Sequence, residues 1–173
     1  MSARRRQGKR LAGYAALLRV LKWNAQGLIP TVIQDAASRQ VITLCYLNRA
    51  ALKKSLKTGT VYLFRRSQHR LMQKGETSGH IQIIRRVLVD CEGKSLVLQV
   101  HQHVAGCHAG YFTCYFRQLS KTGKLTIKVR RIFNPSTVYR TNRGHPAHVD
   151  RRRDVPARRG DSRDGNSPER NRV

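Results

Sequence analysis

The chain has 173 residues, 39% of them hydrophobic, enough for one domain with a packed core. It contains no run of eighteen apolar residues, which excludes a membrane-spanning helix. Thirty-five basic residues against nine acidic ones give a net charge of +26, and residues 20–139 alone hold nineteen against four. The expected partner therefore carries phosphate, as a small molecule or as nucleic acid.

In chain order, residues 1–19 form a basic arm with no acidic residue. Its apolar stretch at 11–21 is broken by Gly13 and Arg19, so it reads as a short helix or targeting-like arm rather than a secretory signal. Without such a signal the expected compartment is the cytoplasm. Cys45, Cys91, Cys107 and Cys114 are then expected as thiols, for burial or metal, rather than as a disulfide framework. Apolar and β-branched residues at 28–33 and 41–47 predict two strands, with the polar 35–40 segment as their hairpin. Asn48 follows as a helix N-cap, Leu47 and Leu52 have the spacing of a hydrophobic staple, and Gly59 ends the helix.

A strand is expected at 61–65, then a polar functional loop at 67–80 carrying Gly75 and Gly79. Further strands fall at 81–89 and 96–100, about a turn at Gly93. Those at 111–116 and 125–129, joined at Thr122-Gly123, complete the set. One main helix among many strands predicts an α+β, β-rich fold of mostly antiparallel strands over a 20–139 domain. Residues 140–173 are rich in Arg, Asp, Gly and Pro and poor in large apolar side chains, which predicts a disordered basic tail.

The residues that bear chemistry cluster late. Cys91 lies in Asp90-Cys91-Glu92 at a turn, in a segment otherwise almost free of carboxylates. Cys107 and Cys114 bracket a short loop, spaced more widely than the knuckle of a structural zinc site. Two thiolates closing a loop, with a third from elsewhere, leave one tetrahedral position open for water, as a catalytic zinc requires. The competing reading makes these cysteines small buried hydrophobes. His108 beside Cys107 favours a site, whereas His101 and His103 alternate on one strand face that reads as solvated.

The run Arg66-Ser67, Lys74-Gly75-Glu76-Thr77-Ser78-Gly79-His80, Asp90-Cys91-Glu92-Gly93 and Cys107-His108-Ala109-Gly110 with Cys114-Tyr115-Phe116 resembles the phosphoribosyl-AMP cyclohydrolases in order and spacing. Gly27-Leu28-Ile29-Pro30, Gln34-Asp35 and Leu44-Cys45-Tyr46-Leu47-Asn48 upstream are similar to that family too. The resemblance covers roughly residues 20–117 and implies a homodimer with zinc held by Cys91 of one subunit and Cys107 with Cys114 of the other. It implies hydrolysis of the N1–C6 bond of the adenine ring of phosphoribosyl-AMP, a step of histidine biosynthesis, by attack of zinc-bound water at C6 as in zinc deaminases. By the same resemblance His108 transfers a proton or orients substrate. Arg66, Lys74, Gly75, Glu76, Thr77, Ser78 and His80 bind the substrate, whose phosphates suit backbone amides and nearby cations.

One departure bears on a second metal. The family pattern Asp-Cys-Asp-x-Asp binds magnesium, and here it reads Asp90-Cys91-Glu92-Gly93-Lys94. Asp90 and Glu92 leave a partial magnesium site, because protonated Lys94 cannot be a ligand. Either the Lys94 ammonium stands where the metal charge would be, or the site has decayed. Met72 and Phe64 replace family tryptophans but keep apolar bulk. An alternative function is a decayed cyclohydrolase homologue that binds nucleic acid with steep salt dependence; another is a zinc-stabilised structural domain. The polar tail is expected to be too short for a fused pyrophosphohydrolase domain.

Overall fold

The structure, a computed structural model, describes residues 14–139; most of the basic arm and the 140–173 tail lie outside the described residues. The chain enters through α1, helical over 14–20, and Leu21 at its end is buried in the core. The two apolar runs then form β1 (Leu28–Asp35) and β2 (Val41–Asn48). They pair antiparallel from Leu28 opposite Asn48 to Gln34 opposite Val41, with a register shift after Ile33. Ile29, Ile33, Ile42 and Leu47 are fully buried. The connecting turn is tied by Asp35, whose carboxylate accepts the Ser38 N–H at 2.7 Å and its hydroxyl at 2.8 Å.

α2 (Arg49–Thr58) follows without a linker. The Asn48 side chain accepts the Ala51 N–H at 2.8 Å, and Gly59, at φ 74°, returns its own N–H to Ser55 O. Leu47 and Leu52 on either side of the cap are both fully buried, as the staple spacing requires. An Asn48→Ala change is expected to lower stability by about 1 kcal/mol, the usual worth of such a cap, as a small fall in thermal midpoint. An unmoved midpoint would show that the flanking leucines alone fix the helix start.

β5 (Gln82–Val89) and β6 (Leu96–Gln102) meet antiparallel, and β6 runs parallel to β1. The main sheet therefore has the order β2-β1-β6-β5, with β1 and β6 inside. Ile29, Ile33, Leu96, Leu98 and Val100 from those central strands join Leu52, Leu56 and Val61 in one core. Two small antiparallel sheets complete the fold: β3 (Tyr62–Arg65) with β4 (Arg70–Gln73), and β7 (Arg117–Leu119) with β8 (Leu125–Ile127). A short helix, α3 (Pro135–Val138), closes the described chain. The architecture is α+β and strand-rich, with every pairing antiparallel except β1 with β6. Among the described residues no helix is long and apolar enough to cross a membrane.

Two expectations need correction. The strand expected at 111–116 does not form. Its aromatic residues instead make a bent loop in which the Tyr111 and Phe116 rings stack at 3.9 Å. The 67–80 segment is not loop throughout. It opens with a 3-10 turn (Arg66–Gln68) and continues as β4 before the glycine-rich part. Its polar residues are tolerated because the small sheet is only partly buried.

Candidate active site

Two loops come together beyond one end of the main sheet. The first carries Cys107 and Cys114. Cys107 N–H donates to Tyr111 O at 3.2 Å, Gly110 N–H to Cys107 O at 3.0 Å, and Gly106 N–H to Phe112 O at 3.2 Å. These bonds fold 106–112 back on itself. The far side of the loop is pinned to β2: Cys114 N–H donates to Ile42 O at 2.8 Å and the Thr113 hydroxyl to Val41 O at 2.7 Å. Beneath it the Gln82 amide bonds Gln102 at 2.6 Å, and the Gln102 amide donates to Phe112 O at 2.9 Å.

The result brings the two thiols beside each other. Their interaction raises the Cys107 pKa, with burial acting in the same direction. It also lowers that of Cys114, against the effect of burial and with help from the Thr43 hydroxyl, Lys74 and His108. The pair thus gives up its first proton readily and holds the second tightly. Such a pair, flanked by Lys74 and His108, is a ready donor set for a soft cation. Cys45 differs: burial pushes its thiol up to about 12, and it donates to Thr31 O at 3.4 Å, packed against the core.

The second loop is the glycine-rich one. Lys74 N–H donates to Val61 O at 2.8 Å, and Gly79 N–H donates to Gly75 O at 2.8 Å, closing a tight ring. Gly75 sits at φ 89°, and a Cβ there would lie 2.3 Å from His80 O, so only glycine fits. Ser78 Oγ accepts the His80 N–H at 3.3 Å. His80 lies edge-on to Phe133 at 4.9 Å, and its Nδ1 is buried with no hydrogen-bond partner. Glu76 is held by Arg70 at 2.7 Å and accepts the Gln73 N–H. It therefore braces the loop, while Thr77 is exposed. Arg66 stacks over the Tyr46 ring at 4.0 Å.

Cys91 is not part of this cluster. It is exposed in the turn between β5 and β6, whereas Cys107 follows the other end of β6. Seven strand residues separate the two ends, about 20 Å of extended chain. Among the described residues no three His, Cys, Asp or Glu side chains of one chain gather as a metal group. In the Cys91 turn, Asp90 Oδ1 accepts the N–H groups of Lys94 at 2.7 Å and Ser95 at 3.0 Å. These bonds, that to Ser95 first, hold the Asp90 pKa below its ordinary value. Glu92 pairs with Lys94 at 2.9 Å. Sequence reasoning did not find Thr43, Phe133 or Tyr139 at the site, since each reaches it from a distant part of the chain.

Fold and site together describe a small α+β protein with a thiol pair set against a glycine-rich loop. The phosphoribosyl-AMP cyclohydrolase family model matches residues 43–116. A phosphoribosyl-AMP cyclohydrolase of Pelotomaculum thermopropionicum is 41% identical over 119 residues, covering 69% of this chain and 92% of the relative. One of Chlorobium chlorochromatii is 39% identical over 123 residues, covering 71% and 90%. The histidine biosynthesis bifunctional protein HisIE of Thermoanaerobacter pseudethanolicus is also 39% identical, but its match spans 56% of that longer protein. The chain belongs to the phosphoribosyl-AMP cyclohydrolase family.

Proposed function

We propose that this chain hydrolyses the N1–C6 bond of the adenine ring of phosphoribosyl-AMP, in histidine biosynthesis. The observation that carries the reading is the family match, which runs through the thiol pair and the glycine-rich loop together. In the balanced step, water adds its oxygen to C6 and the N1–C6 bond breaks. The former C6 becomes a carboxamide carbon, and N1 leaves with a proton.

The donor chemistry of the thiol pair fits zinc. Cys107 and Cys114 would hold it with Cys91 of the partner subunit, because β6 keeps a chain's own Cys91 away from its thiol pair. When bound, zinc supplies the Lewis acidity that makes water nucleophilic near neutral pH. His108, exposed beside Cys107 and within electrostatic reach of Cys114, holds the proton that N1 needs. Lys74 and the backbone N–H groups of the 75–80 loop offer charge and donors to the substrate phosphates, and Ser78, His80 and Arg66 border that space. A homodimer also suits the exposed apolar residues on the outer strands and the thiol loop, Leu44 (47%), Leu88 (44%) and Tyr115 (58%), which a partner would cover.

Magnesium fits poorly. Asp90 spends one oxygen on its turn, and Glu92 is already neutralised by Lys94. Turnover of phosphoribosyl-AMP by the zinc-loaded protein, followed by ultraviolet absorbance, is expected without added magnesium. A Lys94→Asp change should then make the rate respond to magnesium by roughly tenfold, the scale of a perturbed metal site. An unchanged response would show that position 94 does not face a second metal. No turnover by a folded, zinc-loaded protein would favour instead the decayed homologue, for which steeply salt-dependent nucleic-acid binding is the next measurement.

A further inference from the structure

The family model match ends at Phe116, yet the chain returns to the site after the β7–β8 hairpin. Ile132 and Phe133 donate their N–H groups to Gly110 O at 2.7 and 3.3 Å. The approach is so close that a Cβ on Gly110, which sits at φ 87°, would lie 2.2 Å from Phe133 O. Phe133 packs its ring against His80 at 4.9 Å and against Tyr139 at 6.4 Å. Asn134 caps α3 by accepting the Ser136 N–H at 3.1 Å, and Tyr139 N–H closes the turn on Pro135 O at 3.0 Å. That turn brings the half-buried Tyr139 phenol near the Ser78 side chain and into electrostatic reach of Cys107. One nine-residue stretch, 131–139, thus grips the thiol loop through Gly110 and the glycine-rich loop through His80, with Tyr139 beside Ser78.

We propose that residues 131–139 form a strap that sets the glycine-rich loop in register with the thiol pair. In it Tyr139 acts as a positioning residue through Ser78, and Phe133 through His80. The inference rests on the ring-opening activity proposed above. The nucleotide must present C6 to the thiol pair while the 75–80 loop holds the rest of it, so the spacing between the two loops decides affinity. The buried Nδ1 of His80 lacks a hydrogen-bond partner at that seam, a capacity the nucleotide would satisfy. The strap holds the ring edge-on through Phe133 and gives Nδ1 no hydrogen-bond partner.

The test uses the full-length, zinc-loaded protein with Tyr139→Phe and Phe133→Leu. Michaelis parameters are read for phosphoribosyl-AMP, and affinity is read calorimetrically for AMP, the substrate's nucleotide part. Each variant should raise KM and the AMP Kd roughly three- to tenfold, the worth of one neutral hydrogen bond or contact. kcat should stay within about twofold, with zinc content and thermal midpoint unchanged. Because Tyr139 acts through Ser78, the Ser78→Ala, Tyr139→Phe double variant should be no worse than the poorer single one. Unchanged KM and AMP affinity in both single variants would overturn the strap, as would additive losses in the double variant. Absence of turnover by the wild type would instead defeat the activity, and a loss of AMP affinity in the variants would still support the strap.

Discussion

Cys107→Ala is expected to release zinc and to abolish turnover, with a fall in kcat/KM of more than about a hundredfold. Loss of a ligand should exceed the ten- to hundredfold cost of disturbing a ligand's neighbour. The substitution removes the thiol whose interaction with Cys114 holds the Cys114 pKa down and which accepts the Ala109 N–H at 3.4 Å. It leaves the main-chain bonds of the loop in place, since Cys107 N–H still reaches Tyr111 O. The fold should therefore survive, and an unchanged circular dichroism spectrum checks that. Cys45→Ala is the matched control: it removes a buried thiol whose proton is firmly held, and it should keep both zinc and activity. One zinc per subunit retained by Cys107→Ala would sink the ligand assignment.

The parts of the fold that were legible in the sequence are those written in neighbouring residues. Asn48, Leu47, Leu52 and Gly59 mark both ends of α2 within thirteen residues, and each does in the structure what its spacing implies. The β1–β2 hairpin is legible for the same reason, since its partners follow one another along the chain. The 111–116 segment misled because its aromatic residues have the composition of a strand. There the backbone hydrogen bonds go instead to Gly106, Cys107 and Ile42. The parallel pairing of β1 with β6 joins residues more than sixty positions apart, and no local pattern announces it.

The site divides in the same way. The thiol loop and the glycine-rich loop are each continuous strings, so their residue types and spacing single them out. Their meeting is not written locally. Thr43 is an ordinary strand threonine until Cys114 is laid beside it. Tyr139 lies about sixty residues from Ser78 at the edge of a polar tail, and only the turn made by Asn134 and Pro135 brings it back. The separation of Cys91 from Cys107 was hidden likewise, because a motif gives the order of residues but not the strand that holds two of them apart.

Gly75→Ala is the second substitution expected to have a large effect, and Gly79→Ala distinguishes its cause. Both glycines have positive φ, 89° and 74°, so either alanine costs about 1–2 kcal/mol of backbone preference. They differ in their surroundings. A Cβ on Gly79 meets nothing within 4 Å, whereas one on Gly75 would meet His80 O at 2.3 Å, His80 C at 2.5 Å and Ile81 N at 2.9 Å. Those are main-chain atoms, and they can yield only by moving the ring closed between Gly79 N–H and Gly75 O. His80 and Ser78 move with it, and a displacement near 1 Å at a substrate-positioning loop costs about a hundredfold in rate. Gly75→Ala should accordingly lose about that much kcat/KM, while Gly79→Ala should stay within roughly tenfold of wild type. Steady-state rates of the two variants decide the matter, with thermal midpoints beside them. Equal losses would mean that backbone conformation alone matters, and that the close approach of His80 to Gly75 does not set the loop.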